Sequence, residues 1–371
     1  MSYFITGATG FIGRRLLEQL VARDGDIYAL VREQSAGKLT EIADRLDAAD
    51  RIHPVHGDLT APRLGLSDAQ VAELDGRIDH FFHLAAIYDL TADARTNTRV
   101  NVGGTRRAVA LANALEAGCF EHVSSVAVAG AHPGTFTEAM FDEGQPLDHP
   151  YHLTKFESEQ IVRAQVAGRW RVYRPAVVIG DTRTGEIDKV DGPYYFLPLI
   201  AELSRLPGGW RVPWPRMRHT NVVPVDFVAA AIDHIAHQPS LDCQAFHIVD
   251  PNPQRSLDVF NAFGAAAGAP RLVPTLPRWM FELGLAVPGV RRRLLPRLGI
   301  PAEAIDHAEF TAYFDATRAT SALAGSGIAP PPLESYAPLL WRYWAEHLSP
   351  AADRRRALPA ARRTELAHAT R

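Results

Sequence analysis

The glycine-rich run near the start of this chain limits its fold more than any other feature does. It reads TGATGFIG over residues 6–13 and stands between a short apolar segment and a stretch with helical periodicity. Gly7 permits a tight turn, Gly10 lets the backbone approach a pyrophosphate, and Gly13 lets helix and strand pack closely. The helix that follows offers free N–H groups to phosphates. The run therefore predicts a dinucleotide site whose first contacts are Thr6, Gly7, Thr9, Gly10, Phe11, Ile12 and Gly13.

Short apolar runs alternate with longer helical stretches through about residue 180, which is typical of a parallel sheet with crossover helices. The predicted strands are Tyr3–Thr6, Ile27–Val31, His53–His56, His80–Leu84, His122–Val128 and Arg171–Val178. The predicted helices include Arg14–Ala22, Ala94–Glu116 and Tyr151–Val166. We therefore expect an α/β fold with a Rossmann-type doubly wound parallel sheet.

The character of the sequence changes after Gly180, where Gly, Pro and aromatic residues become frequent. We predict an NADP-binding Rossmann domain over 1–181 and 219–254. A smaller, mainly helical substrate-binding lobe is predicted over 182–218 and 255–345. The last stretch, 346–371, is rich in arginine and is expected to be a basic tail or linker.

Composition excludes several classes of protein. With 47% apolar residues and a net charge of -3, the chain does not look disordered or like a general binder of nucleic acid. Its two cysteines, Cys119 and Cys243, lie far apart, so neither a disulfide framework nor a metal site is expected. The glycine run begins too early to leave room for a signal peptide, and no apolar run approaches the ~18 residues of a membrane span. A cytoplasmic protein is the expectation.

The choice of cofactor depends on the end of the second predicted strand. An enzyme that uses NAD would be expected to place an acid there, about 20 residues after the glycines, whereas this chain has Arg32, with Ser35 and Lys38 close behind. A guanidinium at this point can bind a 2'-phosphate, so the sequence predicts NADPH/NADP. The neighbouring Glu33 leaves open the alternative that Arg32 and Lys38 only solvate a surface turn.

Two further segments follow predicted strands and so belong at the same edge of the sheet. Asp58 and Leu59, after the third strand, are expected to contact the adenine. Ala85 and Ala86, after the fourth, are expected to bring backbone close to the pyrophosphate.

The candidate catalytic residues are Ser125, Tyr151 and Lys155. Tyr151 and Lys155 stand four apart on a predicted helix, so their side chains share one face. A free tyrosine has a pKa of about 10, and a neighbouring ammonium lowers it, so that the phenol can exchange a proton near neutral pH. Ser125, at the end of a strand, would hold the carbonyl oxygen of the substrate, and Lys155 would also bind the nicotinamide ribose. Ser124 is the alternative to Ser125.

With these residues assembled, the chain resembles the extended short-chain dehydrogenase/reductases. Within them it is similar to the male-sterility-type fatty acyl-CoA reductases and thioester reductases, and most of all to the amino-terminal half of two-domain bacterial fatty acyl reductases. The motifs that carry the likeness are TGATGFIG, LVREQS, GDLT, HLAAIYD, NVGGT, HVSSVAVAG, HPYHLTK and YRPAVVIG.

The resemblance implies NADPH-dependent reduction of a fatty acyl thioester, held on CoA or acyl carrier protein, or of the derived fatty aldehyde. In those two-domain proteins a second reductase module follows, and since this sequence has no second glycine loop, the resemblance implies either a stand-alone relative or one half of a longer parent protein with a second reductase module. It also implies catalysis by the serine, tyrosine and lysine named above, and a position near the nicotinamide for Arg174, Pro175 and Val178.

Candidate substrate residues are Tyr88, in the HLAAIYD motif, and Tyr194, Tyr195 and Phe196 in the lobe, which could line an acyl tunnel or form the core of the lobe. Other substrates remain open, since hydroxysteroid or dihydroflavonol-like dehydrogenases and sugar-nucleotide epimerases use the same triad. A nucleotide-sensing regulator is the non-enzymatic alternative. The apolar segment 276–285 and the cluster Arg291–Arg293 could form a helix at a membrane surface or a helix packed on its own domain.

Overall fold

The computed structural model describes residues 1–85, 98–188, 190–280, 283, 287, 310–350 and 352. Ala86 and Tyr88, both predicted site residues, lie outside this set, as do Arg291–Arg293, residues 94–97 of a predicted helix and most of the predicted tail. Among the residues described, no helix combines the length and the hydropathy that crossing a membrane requires.

A parallel sheet occupies the centre of the amino-terminal part. The strands of the chain are β1 Tyr3–Thr6, β2 Ile27–Val31, β3 Ile52–His56, β4 His80–His83, β5 Cys119–Val123, β6 Gly134–Phe136, β7 Arg169–Pro175, β8 Val177–Ile179, β9 Arg211–Pro215, β10 His219–Thr220, β11 Val222–Pro224, β12 Gln244–Ile248, β13 Gln254–Arg255, β14 Arg271–Leu276 and β15 Ala312–Phe314. In the described part of the chain the central sheet has seven strands in the order β12-β7-β5-β4-β1-β2-β3, all parallel. This order, with the chain winding outwards in both directions from β1, is that of the predicted Rossmann-type sheet.

Aromatic residues at matching positions hold the middle of the sheet together. Phe4 on β1 stacks on Phe81 of β4 with ring centroids 4.7 Å apart, and Phe81 stacks on Phe120 of β5 at 5.3 Å. All three are buried because central strands of a parallel sheet are covered on both faces. Cross-strand aromatic pairs of this kind stabilise a sheet beyond the area they bury.

Helices make up much of the remaining described part of the chain. They are α1 Phe11–Val21, α2 Ala36–Arg45, α3 Asp68–Leu74, α4 Gly103–Ala114, α5 Pro150–Gln165, α6 Leu197–Leu203, α7 Val225–Ala236, α8 Ser256–Ala266, α9 Thr317–Ala322 and α10 Leu333–Tyr343. Pro150 stands in the first turn of α5, where its missing N–H costs nothing. The side chain of His149 accepts a hydrogen bond from the N–H of Tyr151 and so caps the same helix.

The chain divides into two compact units. The first contains residues 1–178, 222–252 and 311–330, and the second contains 179–221, 253–310 and 331–371. The sequence assigned 311–330 to the lobe, whereas the structure places them in the first unit because β15 pairs with β6 there.

The second unit has its own small core. Its strands β9 and β14 are parallel neighbours. Phe196 packs against Phe260 of α8 with ring centroids 4.4 Å apart, and Leu257 and Leu272 complete the buried cluster.

Candidate active site

The glycine loop, residues 7–13, joins β1 to α1 in a conformation that only glycine fits at two positions. Gly7 has φ +79°, and a Cβ there would lie 2.8 Å from the backbone nitrogen of Ala85. A Cβ at Gly13 would meet the carbonyl oxygen of Gly7. The middle of the loop stays accessible, since Thr9, Phe11 and Ile12 are half-buried and Gly10 is exposed. The cradle therefore fits a pyrophosphate placed over the first turn of α1.

Arg32 follows β2 directly and is exposed, as is Lys38 in the first turn of α2. Glu33 turns toward His56, with 3.2 Å between its carboxylate and the ring nitrogen. No ion pair involves Arg32 among the residues that the structure describes. The guanidinium of Arg32 is therefore available to a phosphate group, while the carboxylate of the neighbouring Glu33 pairs with His56.

The segments after β3 and β4 reach the same edge of the sheet. The carboxylate of Asp58 accepts a hydrogen bond from the N–H of Thr60 at 2.7 Å, which shapes the turn that contains Leu59. Ala85 donates its N–H to the side chain of Thr6 at 3.3 Å. The backbone at Ala85 therefore borders the glycine loop, and its contact with the pyrophosphate stays a prediction.

Ser124 and Ser125 are adjacent in the chain but have different surroundings. Ser124 is 3% exposed, and its hydroxyl donates to the carboxylate of Glu159 at 2.9 Å. Ser125 is half-buried, and its hydroxyl oxygen accepts the N–H of Ala127 at 3.2 Å. The hydroxyl of Ser124 is thus used in a structural hydrogen bond, whereas the hydroxyl proton of Ser125 can be donated to another acceptor. This difference favours Ser125 as the group that holds a substrate oxygen.

The predicted strand His122–Val128 is wrong after Val123. β5 ends at Val123, and Val126–Ala129 form a short 3-10 turn that begins after Ser125. The hydrogen bond from Ala127 to the Ser125 hydroxyl caps this turn and takes the chain out of the sheet.

Tyr151 and Lys155 lie one turn apart at the start of α5, and both are buried, with 7% and 6% of their surface exposed. The ammonium of Lys155 donates to the carbonyl oxygen of Val123 at 3.2 Å, which ties the helix to the end of β5 beside Ser125. Burial lowers the pKa of Lys155 to about 8, while the charge of Glu159 opposes that effect. A lysine in this state can gain or lose its proton near neutral pH.

A buried ion pair that the sequence did not reveal lies behind these residues. The carboxylate of Glu159, one turn beyond Lys155 on α5, is 2.6 Å from the guanidinium of Arg174 on β7. Although burial raises the pKa of Glu159, Arg174 and Arg163 lower it by more. Arg174 also bonds to His247 at 3.2 Å. The predicted nicotinamide contact of Arg174 could therefore come only from its backbone, because its side chain is fully buried.

The remaining predicted site residues have mixed surroundings. Pro175 is buried at the end of β7, and Val178 is half-buried in β8. In the second unit, Tyr194 is 2% exposed, and its hydroxyl accepts the N–H of Gly180 at 2.7 Å. Phe196 belongs to the core cluster described above, and Tyr195 packs against it. For Tyr194 and Phe196 the structure favours the alternative that they build the core of the lobe.

The fold and this site together define an oxidoreductase of the extended short-chain dehydrogenase/reductase type. A family model described as "Male sterility protein", an NAD-binding domain, matches residues 5–232, which is more than half of the chain. The protein therefore belongs to this family, as the motifs indicated.

Among curated proteins, "Non-canonical nonribosomal peptide synthetase FrzA" of Cladobotryum sp. is 27% identical over 327 residues, 81% of this chain and 31% of its own length. "Glycine betaine reductase ATRR" of Emericella nidulans is 31% identical over 282 residues, 69% of this chain and 21% of its own length. The chain thus spans less than a third of either relative.

Among solved structures, the terminal R domain from the myxalamid PKS-NRPS biosynthetic pathway superposes with a TM-score of 0.78 at 26% identity, covering 94% of this chain and 92% of that one. This R domain therefore matches nearly the whole of this chain.

Proposed function

We propose that this protein reduces a fatty acyl thioester, carried on CoA or on an acyl carrier protein, to the aldehyde with NADPH. The observation that carries the proposal is the position of Lys155, one turn after Tyr151 on α5. Its buried ammonium donates to the carbonyl oxygen of Val123, two residues before Ser125. The relatives support a thioester as the substrate, because an R domain and a nonribosomal peptide synthetase are among the proteins that this chain resembles. The aldehyde is a second substrate that the same residues could reduce.

The residues divide the chemistry among them. NADPH would supply the hydride to the carbonyl carbon. Ser125 donates a hydrogen bond to the carbonyl oxygen, and Tyr151 gives its proton to that oxygen as negative charge develops, which yields a hemithioacetal. Lys155, while it is an ammonium, favours the resulting phenolate. Collapse of the hemithioacetal transfers its hydroxyl proton to the leaving thiolate and releases aldehyde and free thiol, so no enzyme cysteine is required.

The catalytic proposal is tested by NADPH oxidation with palmitoyl-CoA and, separately, with decanal. We expect Tyr151→Phe and Ser125→Ala to reduce kcat by about a hundredfold or more, since positioned proton transfer contributes 10²–10⁴-fold by order of magnitude. Tyr313→Phe, the same change at a tyrosine that is 49% exposed, is the control and should leave kcat unchanged. Full activity in Tyr151→Phe would contradict the proposed acid. Turnover of decanal alone would make the protein an aldehyde reductase.

The preference for NADPH over NADH is a separate part of the proposal, supported by the exposed Arg32 after β2. Loss of a charge-assisted hydrogen bond costs about 1.5–3 kcal/mol, so Arg32→Ala should raise KM for NADPH by about 10- to 150-fold and leave KM for NADH nearly constant. Arg45→Ala removes the same charge from an exposed position at the end of α2 and is the matched control. Equal effects of Arg32→Ala on the two cofactors would contradict a 2'-phosphate contact.

A further inference from the structure

His83 lies at the point where the glycine loop meets the end of β4. It is the last residue of β4, is 2% exposed, and pairs in register with Thr6 on β1 and with His122 on β5. Both of its ring nitrogens are engaged. Nδ1 is 2.8 Å from the hydroxyl of Thr6, and Nε2 is 3.1 Å from the hydroxyl of Thr105 on α4.

The surrounding groups fix the direction of each hydrogen bond. The hydroxyl of Thr105 gives its single proton to the carbonyl oxygen of Asn101 at 2.7 Å, so it can only accept from Nε2–H of His83. A neutral imidazole with its proton on Nε2 accepts at Nδ1, so the hydroxyl of Thr6 must donate there. The oxygen of Thr6 in turn accepts the N–H of Ala85 at 3.3 Å. A directed chain therefore runs from Ala85 through Thr6 to His83, and from His83 through Thr105 to Asn101.

This series of hydrogen bonds joins the two backbone segments that border the position expected for the pyrophosphate. Thr6 immediately precedes Gly7, and Gly7 is so close to Ala85 that a Cβ would lie 2.8 Å from the nitrogen of Ala85. Leu84 also donates its N–H to the carbonyl oxygen of Thr6 at 3.2 Å. The hydroxyl of Thr6 is thus a side-chain link across the junction, and His83 determines where its proton points.

His83 keeps one protonation state over the range in which the enzyme would work. Burial, with a smaller contribution from the ammonium of Lys155, lowers its pKa to about 3. A protonated ring would carry a proton on Nδ1 as well and would oppose the proton of Thr6. The neutral ring avoids that conflict at any pH near neutrality.

His122 provides a natural comparison on the neighbouring strand. Its ring stacks on that of His83 with centroids 5.6 Å apart and 16° between the planes. It is equally buried, but in the described part of the chain neither of its ring nitrogens has a hydrogen-bond partner. The two rings therefore share packing and differ in hydrogen bonding.

We propose that His83 is a positioning residue of the cofactor site. Its imidazole, held as the Nε2–H tautomer by Thr105, orients the hydroxyl of Thr6 and so sets the spacing between the glycine loop and the backbone at Ala85. This role of His83 affects binding of the dinucleotide, whichever carbonyl substrate the protein reduces.

The test compares cofactor affinity in variants that keep or remove these bonds, with both NADPH and NADH titrated by quenching of protein fluorescence. We expect His83→Phe, which keeps a ring but removes both bonds, to raise Kd by about tenfold or more. His122→Phe makes the same chemical change without losing a bond and should stay within about twofold. His83→Asn retains a polar group near the position of Nδ1, and we expect it to recover part of the affinity.

A purely structural role would give a different result. If His83→Phe and His122→Phe weaken binding equally, or if both leave Kd unchanged, the proposal is overturned. Thr105→Val removes only the hydroxyl that fixes the tautomer and decides the case if His83→Phe does not fold. We expect it to raise Kd and KM for the cofactor several-fold while kcat at saturation changes little, and an unchanged Kd would contradict the inference.

Discussion

Replacing Lys155 by methionine should stabilise the folded protein while it removes catalysis. Burial moves the pKa of this lysine from 10.5 to about 8. One pH unit in a pKa corresponds to about 1.4 kcal/mol, so holding the ammonium inside the folded protein costs about 3 kcal/mol relative to the unfolded chain. Methionine is similar in length, favours helices and carries no charge. It would leave the carbonyl oxygen of Val123 without its donor, which costs about 1 kcal/mol. The net expectation at pH 7 is a gain of about 2 kcal/mol in the free energy of unfolding.

The pH dependence of the stability difference shows whether the buried ammonium of Lys155 causes it. Below about pH 8 the folded protein carries the buried ammonium, so the cost is fully present there. Between about 8 and 10.5 the folded state has lost this proton and the unfolded chain still binds it, so the wild type becomes more stable relative to the variant as the pH rises. Above that window both states are neutral and the cost is gone. The advantage of Lys155→Met should therefore disappear on going from pH 7 to pH 10.

Urea denaturation of both proteins at pH 7 and pH 10 measures this difference, and NADPH oxidation measures activity. Lys38→Met, at an exposed lysine, is the control and should change neither stability nor its pH dependence appreciably. If Lys155→Met is less stable than the wild type at pH 7, or if the difference does not vary with pH, the buried ammonium is not the source of the cost and the reasoning fails.

Three other substitutions test separate parts of the structure. Gly13→Ala would place a methyl group against the carbonyl oxygen of Gly7, so thermal stabilisation by NADPH should be lost; retained stabilisation would contradict the tight loop. Glu159→Gln removes the negative charge that raises the pKa of Lys155. It also leaves the positive charges of Arg163 and Arg174 without their carboxylate, so the pKa of Lys155 should fall. The alkaline limb of kcat should therefore move to lower pH, and an unmoved limb would argue against this coupling. Tyr194→Phe leaves the N–H of Gly180 unpaired and should cost about 1–3 kcal/mol in denaturation with no change in substrate KM, whereas a raised KM would return Tyr194 to the substrate site.

The sequence predicted the sheet well because central parallel strands are short apolar runs bounded by turns. Tyr3–Thr6 and Ile27–Val31 match the observed strands residue for residue. The run after His122 misled the prediction, since an apolar 3-10 turn and a buried strand have the same composition. Local hydrogen bonds distinguish them, namely those from the N–H of Ala127 to the Ser125 hydroxyl and from the N–H of Val128 to the Ser125 carbonyl oxygen, and periodicity does not report such bonds.

The candidate site was predictable where the spacing of two residues in the sequence determines their relative position in space. Tyr151 and Lys155 are an example, because residues four apart on a helix lie on one face. It was not predictable where partners come from different elements. Glu159 and Arg174 look like ordinary charges of a helix and a strand, and their pairing depends on how α5 lies on β7. The sequence predicted that the backbone of the HLAA segment lies near the pyrophosphate. It did not predict the side-chain hydrogen bonds of His83, because these depend on the register between β1 and β4.

The buried ion pair of Glu159 and Arg174 also limits how this protein can evolve. Loss of Glu159 leaves the buried guanidinium of Arg174 without its carboxylate, and loss of Arg174 leaves Glu159 with Arg163, 2.8 Å away, as its remaining cation. Breaking a buried pair typically costs about 3–5 kcal/mol. That loss is a large fraction of the roughly 5–15 kcal/mol by which a typical domain is stable. Joint replacement by uncharged residues has no such barrier. The two positions should therefore change together or not at all during divergence, so a lineage that lost the acid on the helix would be expected to have lost the arginine on the strand.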